Sequence, residues 1–268
     1  MSQPLKLMCI LAHPDDESLG AGGILARYAA EGIETYLATA TRGERGWYGP
    51  AEDYPGPDAL GRQREAELRA ATTVLGVRDL TILDYHDGEL HQADPAKAIR
   101  KIVAELRRIR PQVVVTFDPN GAYGHPDHIA ICQLATAAVV AAASPNYANT
   151  KARSHRVSKF YYMAETEAAS AVYQAVFGEL VMEVDGQERR AKSWPDWAVT
   201  TRIDTAAHWQ QVWQAISCHQ SQLPGYQALK ELSDEHHQTL WGSQTYYRAF
   251  SLVNGGPQVE RDLFEGLR

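Results

Sequence analysis

The chain has 268 residues, 44% hydrophobic and 22% charged, enough to bury a substantial core in one large domain or at most two. Its 26 Lys and Arg against 33 Asp and Glu leave a net charge of -7 with no long basic run, which argues against nucleic acid as the main partner. Three cysteines, Cys9, Cys132 and Cys218, sit too far apart for a disulfide framework or a thiolate zinc site and fit a reducing, cytoplasmic setting.

Met1 to Lys6 lacks the charged region, apolar core and small-residue cleavage site of a secretory signal. Leu5 to Ala12 is a continuous apolar run of buried-strand length. Ser18 to Glu31 then reads as a helix closed by Gly32, and Ile33 to Ala40 as a second strand. Leu60 to Leu75 carries Leu68, Ala71 and Leu75 at helical spacing, ends at Gly76 and leads into a short strand at Leu80 to Leu83. Pro95 to Arg110 is a helix, Gln112 to Phe117 the clearest strand, and Asp127 to Ala143 the most apolar helix. Its apolar stretch, Ile129 to Ala143, is too short to span a bilayer and reads as buried, so no membrane anchor is expected. A strand at Lys159 to Ala164 completes a β-α-β-α series.

That alternation predicts a Rossmann-like three-layer α/β/α fold with a mostly parallel sheet. Beyond Glu167 the pattern weakens. Thr205 to His219 reads as a helix, and the tail after Asn254 as loosely held. Residues 1–165 form the α/β core of a single domain, with 166–268 an extension that shapes the pocket.

In an open parallel sheet, ligands bind at the carboxyl ends of strands near the point where strand order reverses. Two polar clusters fall at such ends. His13-Pro14-Asp15-Asp16-Glu17 follows the first strand, and Gly121-Ala122-Tyr123-Gly124-His125-Pro126-Asp127-His128 follows the strand ending at Phe117. Taken together they offer imidazoles and carboxylates to one crevice, so three of the chain's 10 histidines are candidates for chemistry. Two histidines and one carboxylate make a zinc site with an open position, the hydrolytic arrangement, and an unligated carboxylate nearby serves as a base. Single histidines and acidic helix starts are ordinary, but two such loops at two strand ends are hard to explain as helix caps. The glycines Gly20, Gly22 and Gly23 do not make a dinucleotide fingerprint, because Leu25 stands where its third glycine belongs. They read instead as thinning one helix face for close packing. No His-Glu-x-x-His helix of a metalloprotease is present.

Ala12-His13-Pro14-Asp15-Asp16-Glu17 with the downstream His125-Pro126-Asp127-His128 resembles the LmbE or PIG-L family of zinc-dependent de-N-acetylases over roughly the N-terminal two-thirds. The resemblance implies that His13, Asp16 and His128 hold Zn2+, or Fe2+ or another divalent ion, and that Asp15 is the general base. It implies His125 as general acid or electrostatic stabiliser with Asp127 as its orienting partner, and Tyr123 as a donor to the acyl oxygen. Arg64, Glu67 and Asp87 match positions that hold sugar hydroxyls or neighbouring groups. Arg42 and Glu44 resemble a family turn without an assigned role, and His219 resembles a residue closing one pocket wall. The expected reaction is removal of an acyl group, acetyl first, from the amide nitrogen of a small N-acyl amino sugar or its glycoside. A cysteinyl-sugar amidase and a non-catalytic metal-dependent sugar-binding protein are the alternatives, although retention of Asp15 counts against the second. Association with further copies of the chain is left open.

Overall fold

The computed structural model describes residues 4–147, 152–179, 181–184 and 186–268. Residues 1–3, the start of the segment read as lacking a secretory signal, lie outside that range. The elements run β1 (Lys6–Leu11), α1 (Asp16–Leu19), α2 (Gly22–Ala30), β2 (Glu34–Thr41), α3 (Pro57–Val74), β3 (Asp79–Tyr85), α4 (Pro95–Ile109) and β4 (Val113–Thr116). After β4 come a single irregular turn, α5 (Gly121–Gly124), then α6 (Pro126–Ala143), β5 (Lys159–Met163), α7 (Glu167–Phe177) and the hairpin β6 (Val181–Val184) and β7 (Gln187–Arg190). The chain closes with β8 (Thr201–Asp204), α8 (Trp209–Ile216), α9 (Gln227–Lys230), α10 (Asp234–Trp241) and β9 (Ser243–Ser251).

Leu7 through Leu11 are wholly buried, as are Val113 through Val115, which is why these runs are apolar without alternation: both faces of the strands are covered. Seven strands form one sheet in the order β3-β2-β1-β4-β5-β9-β8. The first five are parallel, whereas β9 runs antiparallel to β5 and β8 antiparallel to β9. The chain winds outward from β1 to β3, then returns to place β4 on the other side of β1. Strand order therefore reverses between β1 and β4, and right-handed crossovers send the helices before and after the reversal to opposite faces. Accordingly α2 and α3 pack against α8 in one layer and α4 against α6 in the other. Helix α6 is long and apolar enough by composition to cross a membrane, yet more than half of it is buried against α4 and the sheet, as a core helix would be.

Three expectations along the chain need correction. The helix read over Ser18 to Glu31 is broken at Gly20 and Ala21 into α1 and α2. A Cβ on Gly20 would lie 3.2 Å from the Met163 sulfur, and one on Gly23 would lie 2.8 Å from Thr205. The glycines thus thin a face that packs on β5, on α8 and on the residues around Thr205 and Gln244. The helix read over Thr205 to His219 is shorter, with one 3-10 turn at Ala206–His208 before α8 and His219 beyond its end. The tail after Asn254 is not loose, since Glu260, Leu263 and Phe264 are buried.

Glu260 explains how the tail is fixed. Its carboxylate accepts from Lys159 Nζ (2.6 Å), Tyr161 Oη (2.8 Å), Thr201 Oγ1 (2.8 Å), Asn254 Nδ2 (2.6 Å) and Arg248 Nη1 (2.9 Å). Burial alone would raise its pKa, but Lys159 and the other donors pull it down to about 2. Glu260→Ala, which strands the Lys159 ammonium in the core, should cost about 3–5 kcal/mol. In a domain of this size that is a fall in Tm of roughly 10 °C, measurable by thermal unfolding. Because the folded pKa lies below the ordinary value of 4.5, the contribution is present above that pH and is lost as pH falls toward 2.

Candidate metal centre and active site

The two polar loops meet at the carboxyl edge of β1 and β4, where strand order reverses. Asp16 Oδ2 accepts from the backbone N–H of Ala12 (3.1 Å) and His13 (2.7 Å), which curls the loop back on itself and leaves Oδ1 toward His128. His13 Nδ1 lies 3.2 Å from His128 Nε2 and 3.8 Å from the Asp16 carboxylate, and His128 Nε2 lies 3.5 Å from Asp16 Oδ1. Ligands held 2.0–2.1 Å from a tetrahedral zinc are separated by about 3.3 Å, so the two nitrogens and the Asp16 carboxylate, which faces His13 through Oδ2 and His128 through Oδ1, form a triangle of groups of about the size such an ion needs. His128 is pushed well below its ordinary pKa by burial and by the charge of neighbouring His13 and His125, which keeps its ring neutral, the form that ligates. Phe117 stacks on its face at 3.8 Å and fixes its plane. The residues fit a divalent metal.

The far nitrogen of His13 is equally well held. Nε2 lies 3.0 Å from Asp87 Oδ1 and 3.3 Å from Asp127 Oδ2, the carboxylate backing that sets a ligand's tautomer and orientation. Asp127 in turn accepts from the N–H groups of Gly88 (2.7 Å) and Leu90 (3.0 Å), and Asp87 from that of Arg45 (3.1 Å). Burial opposes a charge on His13, but Asp127 and Asp87 outweigh it and raise the imidazole to about 10.

Asp15 occupies a left-handed conformation (φ 102°) that non-glycine residues seldom adopt. The strain is supported by Glu17, whose buried carboxylate accepts from the Asp15 N–H (3.0 Å) and from Ser18 Oγ. Asp15 Oδ2 receives Arg64 Nη2 (3.1 Å) and the Tyr226 hydroxyl (2.8 Å). The second loop is strained too, with Ala122 at φ 58° beside Gly121 at φ 65°. That turn delivers Tyr123, whose ring meets His125 and His128 edge-on. Burial raises the Tyr123 phenol well above its ordinary value, so it stays a hydrogen-bond donor. His125 is lowered to about 4 by burial and by the charge of His13, and its Nδ1 accepts from the Asp127 N–H (3.1 Å), leaving Nε2 to carry the proton.

The loops thus bring together His13, Asp15, Asp16, Tyr123, His125, Asp127 and His128. Several expected roles do not match where the side chains go. The Asp127 carboxylate serves His13, and only its backbone N–H reaches His125. Asp87, expected at a sugar hydroxyl, is bonded to His13 and Arg45. Arg64 is 3% exposed and is occupied by Pro14 O, Gly43 O and Asp15, so it braces the loops. Glu67 makes no pair with it and instead accepts from Ser221 N and Oγ, tying α3 to the C-terminal segment. Arg42 pairs with Glu65 and Asp84, outside the cluster. His219 closes no wall, because it is fully buried and 2.7 Å from Glu17. Burial opposes its charge, yet Glu17 raises it overall. Trp209 stacks on His237, and Trp213 lies tilted against the same ring. Three contributors escaped the sequence reading. Phe117 and the loop-shaping Asp118, which accepts from Ala122 N and Trp194 Nε1, directly follow β4 and were findable there, whereas nothing near Tyr226 announces it.

The fold and this cluster together define a metal-dependent α/β hydrolase. Residues 8–139 match the family described as PIG-L, GlcNAc-PI de-N-acetylase. The chain is 33% identical to a 1D-myo-inositol 2-acetamido-2-deoxy-alpha-D-glucopyranoside deacetylase of Kineococcus radiotolerans, over 100% of this chain and 84% of that protein. It is 35% identical to the Streptomyces avermitilis protein of the same name, over 98% and 97%. Among solved structures it resembles an N,N'-diacetylchitobiose deacetylase from Pyrococcus horikoshii, with a TM-score of 0.69 at 20% identity over 91% of this chain and 83% of that one, a likeness of fold. The chain belongs to the PIG-L family of de-N-acetylases.

Proposed function

We propose that the protein hydrolyses the acetamido group of an N-acetylglucosaminide, with His13, Asp16 and His128 holding Zn2+ and Asp15 as general base. The observation that carries this reading is the metal-sized triangle of ligand groups with an unligated carboxylate, Asp15, directly beside it. A bound divalent ion would polarise the acyl oxygen and acidify a water molecule near neutral pH. Asp15 takes a proton as the water oxygen bonds to the acyl carbon. The Tyr123 O–H and the His125 Nε2–H are the donors for the oxygen that gains charge. The proton that Asp15 took from the water passes to the departing nitrogen as the C–N bond breaks, yielding acetate and a free amine and returning Asp15 to its carboxylate, while His125 keeps its Nε2 proton. The free thiols Cys9, Cys132 and Cys218 suit a cytoplasmic enzyme.

The substrate follows from the relatives, which are named for an acetamido-glucopyranoside of 1D-myo-inositol. Amine release from that glycoside, from N-acetylglucosamine and from its oligomers tests the proposal directly. Turnover of the inositol glycoside above the others is expected, and no amine from any of them would overturn it. Dialysis against a chelator should abolish turnover and added Zn2+ should restore it. Full activity in metal-stripped protein would refute the ligand assignment.

A further inference from the structure

Asp15 Oδ2 is held from two sides, by Arg64 Nη2 at 3.1 Å and by the Tyr226 hydroxyl at 2.8 Å, while among the described residues Oδ1 has no hydrogen-bond partner. Two donors on one oxygen fix the plane of a carboxylate and decide which oxygen remains available. From this geometry we infer that Tyr226 is a positioning residue for Asp15, clamping Oδ2 so that Oδ1 is the atom that accepts the proton. The inference rests on Asp15 being the base.

Tyr226 comes from the C-terminal segment, beyond the stretch that matches the family, and that segment is anchored for the purpose. Gln222 Nε2 donates to Gly46 O (2.8 Å), and the Tyr226 N–H donates to Leu223 O (3.0 Å). Gly225 admits the Tyr48 ring where a Cβ would come within 2.8 Å of it, and that ring leans on Tyr226 with centroids 6.4 Å apart. Burial and the charge of Asp15 hold the Tyr226 phenol well above its ordinary pKa, so it remains a donor. Arg64 could not play this part alone, because its guanidinium also carries the carbonyls of Pro14 and Gly43.

Tyr226→Phe removes one hydroxyl and keeps the ring. A hydrogen bond to a charged group and the alignment it enforces predict a fall in kcat of roughly 10- to 100-fold. KM and metal stoichiometry should not change and Tm should fall by no more than a few degrees, a split that a merely structural residue would not produce. The double variant Tyr226→Phe with Asp15→Asn should be no slower than Asp15→Asn alone, since Tyr226 acts only through Asp15. Wild-type kcat in Tyr226→Phe, a change confined to KM, or additive losses in the double variant would each overturn the inference. If Asp15→Asn itself keeps full turnover, the reading of Asp15 as the base fails instead.

Discussion

Asp15→Asn is expected to lower kcat by roughly 100- to 10,000-fold, the contribution of a positioned general base, while the protein still binds one equivalent of metal. The substitution is the right one because asparagine tolerates the left-handed backbone at φ 102°, where alanine would add strain. Its amide oxygen can accept from Arg64 and Tyr226 as Oδ2 does now. That choice places the NH2 group where Oδ1 stood, exchanging an acceptor for a donor at the one point facing the reaction. His13, Asp16 and His128 are untouched, so metal content and fold should match the parent. The decisive measurements are kcat for amine release and metal per chain on the same sample. Turnover within a few-fold of the parent would remove Asp15 from the mechanism.

The topology was legible because its signals are local. Runs such as Leu5 to Ala12 and Gln112 to Phe117 announce strands buried on both faces, and polar loops directly after them must lie at the carboxyl edge. The antiparallel pair β8 and β9 was not legible, since β8 has only 4 residues and β9, although 9 residues long, is mostly half-buried and carries no long apolar run. The tail misled for a related reason: Asn254-Gly255-Gly256-Pro257 reads as a break, while the residues that fix it are a single carboxylate and two apolar side chains further on.

Within the site, motifs identified which residues converge but not where their side chains point. Spacing along a loop cannot show that Asp87 turns to His13 or that Arg64 turns inward to Pro14 O and Asp15. Nor can it show that His219 finds Glu17, a residue that alone looks like an ordinary charge at a helix start. Such pairings depend on which loops stack at the sheet edge. The same limit hid Tyr226, which reaches Asp15 from a segment 211 positions away.

His13→Ala should lose both metal and activity, because His13 is the residue on which the ligand triangle and its backing carboxylates meet. Removing the ion's charge stabilisation forfeits several kcal/mol, and at 10-fold per about 1.4 kcal/mol the rate should fall by roughly 10,000-fold or more. The variant also leaves Asp87 and Asp127 without the His13 nitrogen they share, so Tm should drop as well. A milder companion separates ligation from backing. Asp127→Asn keeps an oxygen for only one of Gly88 N and Leu90 N, which now donate to Oδ2 and Oδ1, and it removes the charge behind His13 Nε2; it should weaken metal affinity about 10- to 100-fold without abolishing turnover at saturating metal. Direct titration of metal into stripped protein reads both variants on one scale. If His13→Ala binds metal as tightly as the parent, the triangle is not the binding site. If Asp127→Asn is unchanged in affinity, the contact between Asp127 and His13 has no part in holding the ion.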